Sequence, residues 1–411
     1  MHSEQNIPVQ TIYASLNDYL SKASPSKGDM EITFESVKSL FSPFIKEGDR
    51  EINLEVKFFE KSIDELKNRF SSGASKSQMI HLDIWAGQNF EKFGVWDKAL
   101  SYYKNALSLY DETIHFSLKA ETFRSMGHIH MMRNNWEEAL QHYRQCLDIC
   151  QQGGKQDGVA YAYNGMGIVS FEQGNMGIAQ THWQQGLELA EKTNETKLTA
   201  QLNSNLGALK STMGNFEDAL GHFNKSATMF EKIGDHRGLA EVYHNMGMTY
   251  ADMGKWPEAS SYFEKSFDLA KSIGDVRLQA MVKLNRVELY MAINDNYAGL
   301  AMNNQALQIF LQLQDHLGEA ETYKFMGTIY ARMKKFDFAR TYFDQCIYLA
   351  GKYKSPLLEA EAHYEFGIMH TKMENKNAAL ENFNTSLQLF ESIDAENDIQ
   401  KVKDQISALK E

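Results

Sequence analysis

One stretch of the chain carries three residue types that bind metals. His142, Cys146 and Cys150 stand four residues apart, so a helix would present all three on one face, where imidazole and thiolate groups can hold zinc. Cys146, however, belongs to a column of small residues that recurs every forty positions and includes Cys346. A helix contact that requires a small side chain explains this column better than a ligand role, and we expect no metal site and no cofactor.

A second set of histidines recurs at the same spacing of forty residues. His142, His182 and His222 form this column. Helices of stacked units lie about 8 to 10 Å apart, whereas both bonds to a shared zinc ion would be about 2.0 to 2.1 Å long. We therefore interpret the histidine column as solvated or half-buried surface.

Motifs of nucleophilic and nucleotide chemistry are missing from the sequence. It contains no G-x-S-x-G, P-loop, H-E-x-x-H or G-x-G-x-x-G pattern in a fitting context, and no strand on which most such turns are built. We expect that the chain is not an enzyme.

A column of asparagines is the most informative polar feature. Asn205, Asn245 and Asn285 occupy the same place in three successive units, although asparagine competes for backbone hydrogen bonds and is poorly suited to a helix interior. Two explanations remain open. The amides bond neighbouring helices, or their paired donor and acceptor hold the backbone of an extended peptide.

These residues must be positioned by a repeat of forty residues. Each unit has a glycine, a small residue twelve positions later and an aromatic residue sixteen positions later. The glycines are Gly87, Gly127, Gly167, Gly207, Gly247, Gly327 and Gly367, with Val287 in the sixth unit. We expect the glycine to let the first helix approach the small residue of the second, while the aromatic fills space against the next unit.

Each unit reads as two amphipathic helices joined by a tight turn. In "LAEVYHNMGMTYADMGKWPEASSYFEKSFDLAKSIGD" the apolar residues recur at spacings of three and four, with a break near "MGKW". No unit can bury its apolar stripe alone, so the units must stack. We predict an all-α chain in which an α-solenoid of eight helix-turn-helix units spans 78–394. Their bounds are about 78–114, 115–154, 155–194, 195–234, 235–274, 275–314, 315–354 and 355–394.

The glycine, small and aromatic pattern resembles the tetratricopeptide repeat, and seven of the eight units meet it. The departure is length, since the usual unit has about 34 residues. The longer unit with "GD" before the next helix resembles the Leu-Gly-Asn-repeat spindle adaptors and the bacterial peptide-sensing regulators of the Rap and PlcR kind. The resemblance implies a right-handed superhelix with a concave peptide groove, in which first-helix asparagines grip the peptide backbone.

The predicted peptide site follows from first-helix positions around the repeat glycine. Residues two and three places before it, and one place after it, are expected to face the groove. The residues expected to bind peptide are Arg124, Asn164, Asn205, His244, Asn245, Met248, Asn285 and Lys324. Glutamates at the first-helix starts, such as Glu321 and Glu361, are interpreted as complements to the helix dipole.

Composition limits the partners. A formal net charge of -12 argues against nucleic acid. The sequence starts without a basic segment followed by an apolar core, and it lacks the roughly 20 apolar residues that span a bilayer. Three cysteines are too few for a disulfide framework. We expect a cytoplasmic protein that binds a protein or peptide ligand, without nucleic acid or membrane insertion.

The flanks lack the repeat. Residues 1–77 are predicted to form a helical cap or three-helix bundle from "IYASLNDYLSKA", "EITFESVKSLFSPFI" and "REINLEVKFFEKSIDELKNRF", and residues 395–411 a capping helix. Three functions follow: a non-enzymatic scaffold or adaptor, a Rap-like peptide-gated regulator, or a scaffold that self-associates through its N-terminal helices. Rap phosphatases position water with a bundle glutamine, and residues 11–77 contain none, so dephosphorylation is not expected.

The sixth unit departs from the pattern. Val287 replaces the glycine and Gly299 the alanine, an exchange that roughly conserves volume, while Asn303 replaces the aromatic residue. We expect Asn303 to loosen packing and to alter the twist between units six and seven.

Overall fold

The computed structural model describes residues 6–8, 53–55, 60, 63, 64, 67, 76–92, 94–110, 116–313, 315–393 and 395–410. The chain divides into two compact units, Met1–Gly165 and Met166–Glu411, which are called the first unit and the second unit from here on. The sixth unit and unit seven remain names of forty-residue repeats. The fold is an all-α solenoid of repeated helix pairs.

Seventeen helices lie in the described part of the chain. They are α1 Lys76–Lys92, α2 Trp96–Leu109, α3 Phe116–Met132, α4 Trp136–Gln152, α5 Gln156–Glu172, α6 Met176–Lys192, α7 Thr196–Thr212, α8 Phe216–Ile233, α9 His236–Asp252, α10 Trp256–Ser272, α11 Val276–Ala292, α12 Asn296–Leu313, α13 His316–Arg332, α14 Phe336–Lys352, α15 Pro356–Lys372, α16 Lys376–Ser392 and α17 Glu396–Lys410. From α7 to α16, each odd-numbered first helix packs against the even-numbered second helix that follows it.

Two short strands precede the helices. β1, Asn6–Pro8, pairs antiparallel with β2, Asn53–Glu55. The prediction of a helix from residue 50 onward is therefore wrong at β2, where "EINLEV" alternates polar and apolar residues with the period of a strand. Glu60, Ile63, Asp64 and Lys67 are helical, and the two other predicted N-terminal helices lie outside the described residues.

The repeat glycine is required by the aromatic residue of its own unit. A Cβ placed on Gly247 would lie 2.6 Å from Cδ1 of Phe263, well inside van der Waals contact. The same crowding occurs at Gly87 with Tyr103, Gly127 with Tyr143, Gly167 with Trp183, Gly207 with Phe223, Gly327 with Phe343 and Gly367 with Phe383. The aromatic residue, which was expected to fill space against the next unit, thus packs on the glycine of its own unit. In the sixth unit the small and glycine positions do face each other, since a Cβ on Gly299 would lie 3.7 Å from Cγ1 of Val287.

The sixth unit exchanges both members of this contact. Val287 and Asn303 hold the places of glycine and aromatic, and both are fully buried. A Cβ on Gly299 would have its nearest neighbour at 3.4 Å, an ordinary contact. The side-chain amide of Asn303 donates to the carbonyl of Thr322 in α13 at 2.8 Å. Asn303 is thus bonded to unit seven through its amide nitrogen, while its Oδ1 has no hydrogen-bond partner among the described residues. The expected looser packing and altered twist stay predictions.

The "GD" motifs cap first helices and connect consecutive hairpins. Asp275 accepts a hydrogen bond from the backbone N–H of Leu278 at 2.9 Å, which satisfies a free donor of the first turn of α11. Its carboxylate also lies 3.5 Å from Arg237 at the start of α9. Equivalent pairs join Lys197 to Asp235 and Arg277 to Asp315. These contacts hold successive first helices side by side.

The last helix packs onto the final hairpin. Val402 and Ile406 of α17 are buried in one cluster with Phe383 and Phe390 of α16. The polar face of α17 carries Asp398 and Lys401, which take part in the candidate site.

Candidate functional site

The first helices of the second unit line a pocket of about 400 Å³. Its wall comes from α9, α11, α13 and α15, with additions from α16 and α17. The lining residues are Asp252, Glu288, Met291, Lys324, Phe325, Thr328, Glu361, Tyr364, Glu365, Phe390, Asp398 and Lys401. This pocket is the candidate ligand site, which we call the acidic pocket because it holds five carboxylates and two lysines.

Helical periodicity places these side chains on one face. Lys324 and Thr328 are four residues apart on α13, so they are neighbours on the helix surface. Glu288 stands one place after Val287, and Tyr364 three places before Gly367. These are the columns that the sequence predicted to face a groove. The column of the asparagines also reaches the pocket, where it is occupied by Phe325 and Glu365.

Lys324 forms the charged centre of the pocket wall. Its ammonium pairs with Glu361 and lies 5.2 Å from the ring centroid of Phe325. Burial lowers the pKa of Lys324, but the carboxylates of Glu361 and Glu321 outweigh that effect, and the pKa is raised overall. Lys324 is therefore a permanent cation held by the protein's own acids.

The pKa of the Glu288 carboxyl is raised into the neutral range. Although Glu288 keeps an exposed surface, the helices around it withdraw the carboxyl from water and raise its pKa to about 7. The charge of Lys324 opposes that rise, and the carboxylates of Asp252, Glu321 and Glu361 add to it. Burial likewise raises the pKa of Asp252. Both shifts favour the neutral carboxyl, which a nearby cation would ionise.

The remaining polar groups differ in how they are paired. Lys401 donates to Asp398 at 2.9 Å, and the hydroxyl of Thr328 donates to Glu365 at 3.3 Å. Asp252 and Glu288 make neither a hydrogen bond nor an ion pair with any other described residue. Two carboxylates on neighbouring first helices are therefore open to a ligand.

The asparagine column has mixed surroundings. All three side chains are half-buried. The amide nitrogen of Asn285 lies 3.0 Å from Nε2 of His244, and Asn205 also has a partner. Asn285 thus bonds a neighbouring first helix, which is one of the two explanations left open for the column. Asn245, in contrast, makes no side-chain hydrogen bond to the described residues.

His244 is almost fully buried. Its side chain is only 5% exposed, and its ring lies 5.8 Å from that of Phe263. Burial lowers the pKa of His244 to about 4, so the imidazole is neutral at pH 7. The imidazole folds toward the core, so the prediction that His244 contacts a peptide does not fit its burial.

The other predicted site residues are divided between the two units. Met248 is 43% exposed on α9, and Lys324 lies in the acidic pocket. In the first unit, Arg124 lies 4.8 Å from the ring centroid of Tyr161, and Asn164 is half-buried. The proposal of a single site is therefore carried forward for the second unit alone.

Sequence reasoning missed most of the acids in the pocket. Glu361 was assigned to the helix dipole, and Glu365 and Asp398 were not singled out. The available signal was the column of Asn245 and Asn285, which continues to Glu365 at the same forty-residue spacing. Asp398 gave no such signal, because α17 lies outside the repeat.

The metal-binding residue types are explained by packing. Cys146 and Cys150 are buried on α4, and a hydrogen bond between their thiols, with burial, raises the pKa of Cys146. Nδ1 of His142 lies 2.9 Å from Oε1 of Gln145. Among the described residues, no three histidine, cysteine or acidic side chains are arranged to bind a metal. Nor does any described helix combine the length and apolarity needed to cross a membrane.

Comparison with known families finds the same repeat. A tetratricopeptide-repeat model matches residues 81–152, 118–192, 158–232 and 198–272, and a second tetratricopeptide-repeat model matches 320–353. Together these matches cover more than half of the chain. Comparison with curated proteins finds no match.

Solved structures share the fold at low identity. A Rap protein complexed with competence and sporulation factor has a TM-score of 0.59 and 12% identity over 98% of this chain and 100% of its own. The Rap conjugation gene regulator of plasmid pLS20, in complex with a Phr peptide, has a TM-score of 0.61 and 17% identity over 85% and 97%. The apo quorum sensor NprR from B. thuringiensis has a TM-score of 0.57 and 15% identity over 83% and 92%.

Proposed function

The chain belongs to the tetratricopeptide-repeat family, and from this premise we propose that it is a non-enzymatic scaffold or adaptor that binds a peptide segment of a partner protein. The ligand lies across the first helices of the second unit. It runs from the amides of Asn205, Asn245 and Asn285 toward the acidic pocket.

The acidic pocket is the observation that carries this proposal. Its volume of about 400 Å³ falls within the range of about 300 to 1,000 Å³ that is usual for ligand sites. Its wall is drawn from four successive first helices, so an extended chain crossing them meets one side-chain column after another. The asparagines occupy the column that continues to Phe325 and Glu365 in the pocket, which supports a continuous binding surface.

A peptide-gated regulator is the second candidate. Two of the solved neighbours are Rap proteins described with a bound factor or peptide, and one likeness extends over 98% of this chain. On this alternative, the same peptide would alter how the N-terminal segment acts on a signalling protein. Both candidates require peptide binding by the second unit, which makes that binding the first property to test.

The test begins with selection of linear 12-residue peptides from a random phage-displayed library on the whole immobilised protein. Enriched peptides are synthesised, and their Kd is measured by fluorescence polarisation. We expect Asn245→Ala to weaken binding about 3- to 10-fold, the effect of one lost hydrogen bond of about 1 kcal/mol. The variant should keep its helicity and melting temperature, since the amide makes no bond to the described residues.

Asn224→Ala is the matched control, because Asn224 is exposed on the second helix α8. It should leave Kd unchanged. A library that yields no binding peptide, or equal losses for both variants, contradicts the proposed function. If Asn245→Ala unfolds, the Asn245 amide stabilises the fold and is not primarily a ligand contact.

A further inference from the structure

We propose that the acidic pocket recognises a cationic group of the bound peptide, either the ammonium or guanidinium of a lysine or arginine side chain or the peptide's amino terminus. This inference rests on the proposed function and specifies the chemistry of its ligand. A ligand that ends in carboxylate or phosphate is disfavoured at this place.

The charge pattern of the pocket is the first step. Five carboxylates face two lysines, and both lysines already have partners. Lys324 pairs with Glu361, and Lys401 pairs with Asp398. Three carboxyls of the pocket have no lysine partner among the described residues, those of Asp252, Glu288 and Glu365, and burial raises the pKa of each. A cation that reaches these carboxyls is attracted to them and favours their ionised form.

The second step is the position of the two unpaired acids. Asp252 ends α9, and Glu288 lies on the last turns of α11, the next first helix. They are close enough that the charge of Asp252 raises the pKa of Glu288. An ammonium has three donors and a guanidinium five, so either group can pair with a carboxylate of this wall and weaken the repulsion between the two acids.

The apolar wall is the third step. Met291, Tyr364 and Phe390 line the same pocket as the acids. A lysine or arginine stem packs its methylene groups on such surfaces, while the charged head reaches the polar partners. The pocket already binds one cation in this way, because the Lys324 ammonium lies 5.2 Å from the centroid of Phe325 and pairs with Glu361.

The experiment repeats the peptide selection on the whole protein and on the double variant Asp252→Asn with Glu288→Gln. Peptides selected on the unmodified protein should be enriched in lysine or arginine, or should require a free amino terminus. The double variant should bind them about 10- to 100-fold more weakly, the effect of losing one or two charge-assisted hydrogen bonds of about 1.5 to 3 kcal/mol.

Glu258→Gln with Asp268→Asn is the matched control. It makes the same change of charge on exposed positions of α10, in the repeat that contains Asp252 and outside the pocket. Its Kd should stay within about twofold of the unmodified protein, since exposed charges this far from the ligand are largely screened by salt. The single variant Glu288→Gln is used if the double variant does not fold.

Two peptide modifications identify the source of the cation. Acetylation removes the amino-terminal charge, and replacement of each lysine or arginine by glutamine removes a side-chain charge. The modification that weakens binding to the unmodified protein should have little further effect on the double variant. Selected peptides without a basic preference, bound equally by both proteins, would overturn the cationic site and leave peptide binding intact. Failure to select any peptide would overturn the proposed function itself.

Discussion

At the scale of single residues, the protonation of Glu288 is expected to make ligand binding in the acidic pocket depend on pH. Its carboxyl has a pKa of about 7, and the charged groups facing it are Asp252 on α9, Lys324 and Glu321 on α13, and Glu361 on α15. Only the ionised carboxylate attracts a cation. We expect the affinity for a basic peptide to rise about 3- to 10-fold from about pH 6 to about pH 8, on either side of this pKa.

Fluorescence polarisation across that pH range checks this expectation, with Glu288→Gln as the variant that should lose the dependence. The same pKa fixes the sign of the stability effect. Because the folded pKa lies above the ordinary value of 4.5, Glu288 favours the folded state most below that value, and this contribution is lost as pH rises through 7. A pH dependence that persists in Glu288→Gln would assign the titration to another group.

Two residues of one sequence column can have different surroundings in the structure. Lys324 and His244 occupy the same column three places before the repeat glycine, yet Lys324 reaches the pocket and His244 lies against Phe263. The long lysine stem can carry its charge to the surface. An imidazole is short and can stay neutral in the core, as the lowered pKa of His244 shows. The forty-residue period predicts which column a residue belongs to, whereas the length of the side chain and its neighbours decide which way that side chain points.

At the scale of helices, the packing of glycine against an aromatic ring sets how closely the two helices of a unit approach. In Gly247→Ala, the new Cβ would lie 2.6 Å from Phe263. We expect a loss of about 1 to 3 kcal/mol in the free energy of unfolding, the usual effect of overpacking. Gly299→Ala has room in ordinary contact, and it should gain up to about 1 kcal/mol from the higher helix propensity of alanine.

Urea unfolding followed by circular dichroism measures both changes. The pair found in the sixth unit supplies a further check, because Gly247→Val with Phe263→Asn copies Val287 and Asn303. If the two positions share one space, the double variant should be more stable than the sum of the single losses predicts. If the losses in free energy of unfolding were additive, the valine and the asparagine would not share one space. The exchange of residues in the sixth unit would then have no explanation in packing.

Periodicity explains why the helices were predictable and why two details were not. Each unit repeats its apolar spacing over many residues, so the helix pairs follow from the sequence. β2 is three residues long and lies inside a segment with a helical pattern, where "EINLEV" is a weak strand signal. The contact between a repeat glycine and the aromatic residue sixteen positions later depends on how two helices cross, which spacing alone does not specify.

At the scale of the whole molecule, the acidic pocket is the product of the array. Its acids extend from Asp252 to Asp398, so no short motif contains them. The all-α repeat and the family could be predicted from a period of forty residues. The pocket could not, because its five carboxyls come together only when α9, α11, α13, α15 and α17 are placed side by side.

The last prediction concerns the N-terminal segment. Ile63 is fully buried in one cluster with Ile80 and Phe90 of α1, and Lys67 pairs with the buried Asp83. Removing residues 1–77 exposes this cluster and leaves Asp83 without Lys67. The first unit should lose at least the roughly 1.5 to 3 kcal/mol that comes from burying one large aliphatic side chain. A chain that lacks only residues 1–59 retains both Ile63 and Lys67 and is the matched control.

Under the scaffold proposal, both shortened chains should bind the selected peptides with the Kd of the whole protein, because the acidic pocket lies in the second unit. Thermal melting and fluorescence polarisation on the same samples separate stability from binding. A chain lacking residues 1–77 that remains helical yet no longer binds would make the N-terminal segment part of the ligand site. Inhibition of peptide binding when the segment is added as a separate peptide would favour self-association, because that segment would then occupy the first helices in place of a partner.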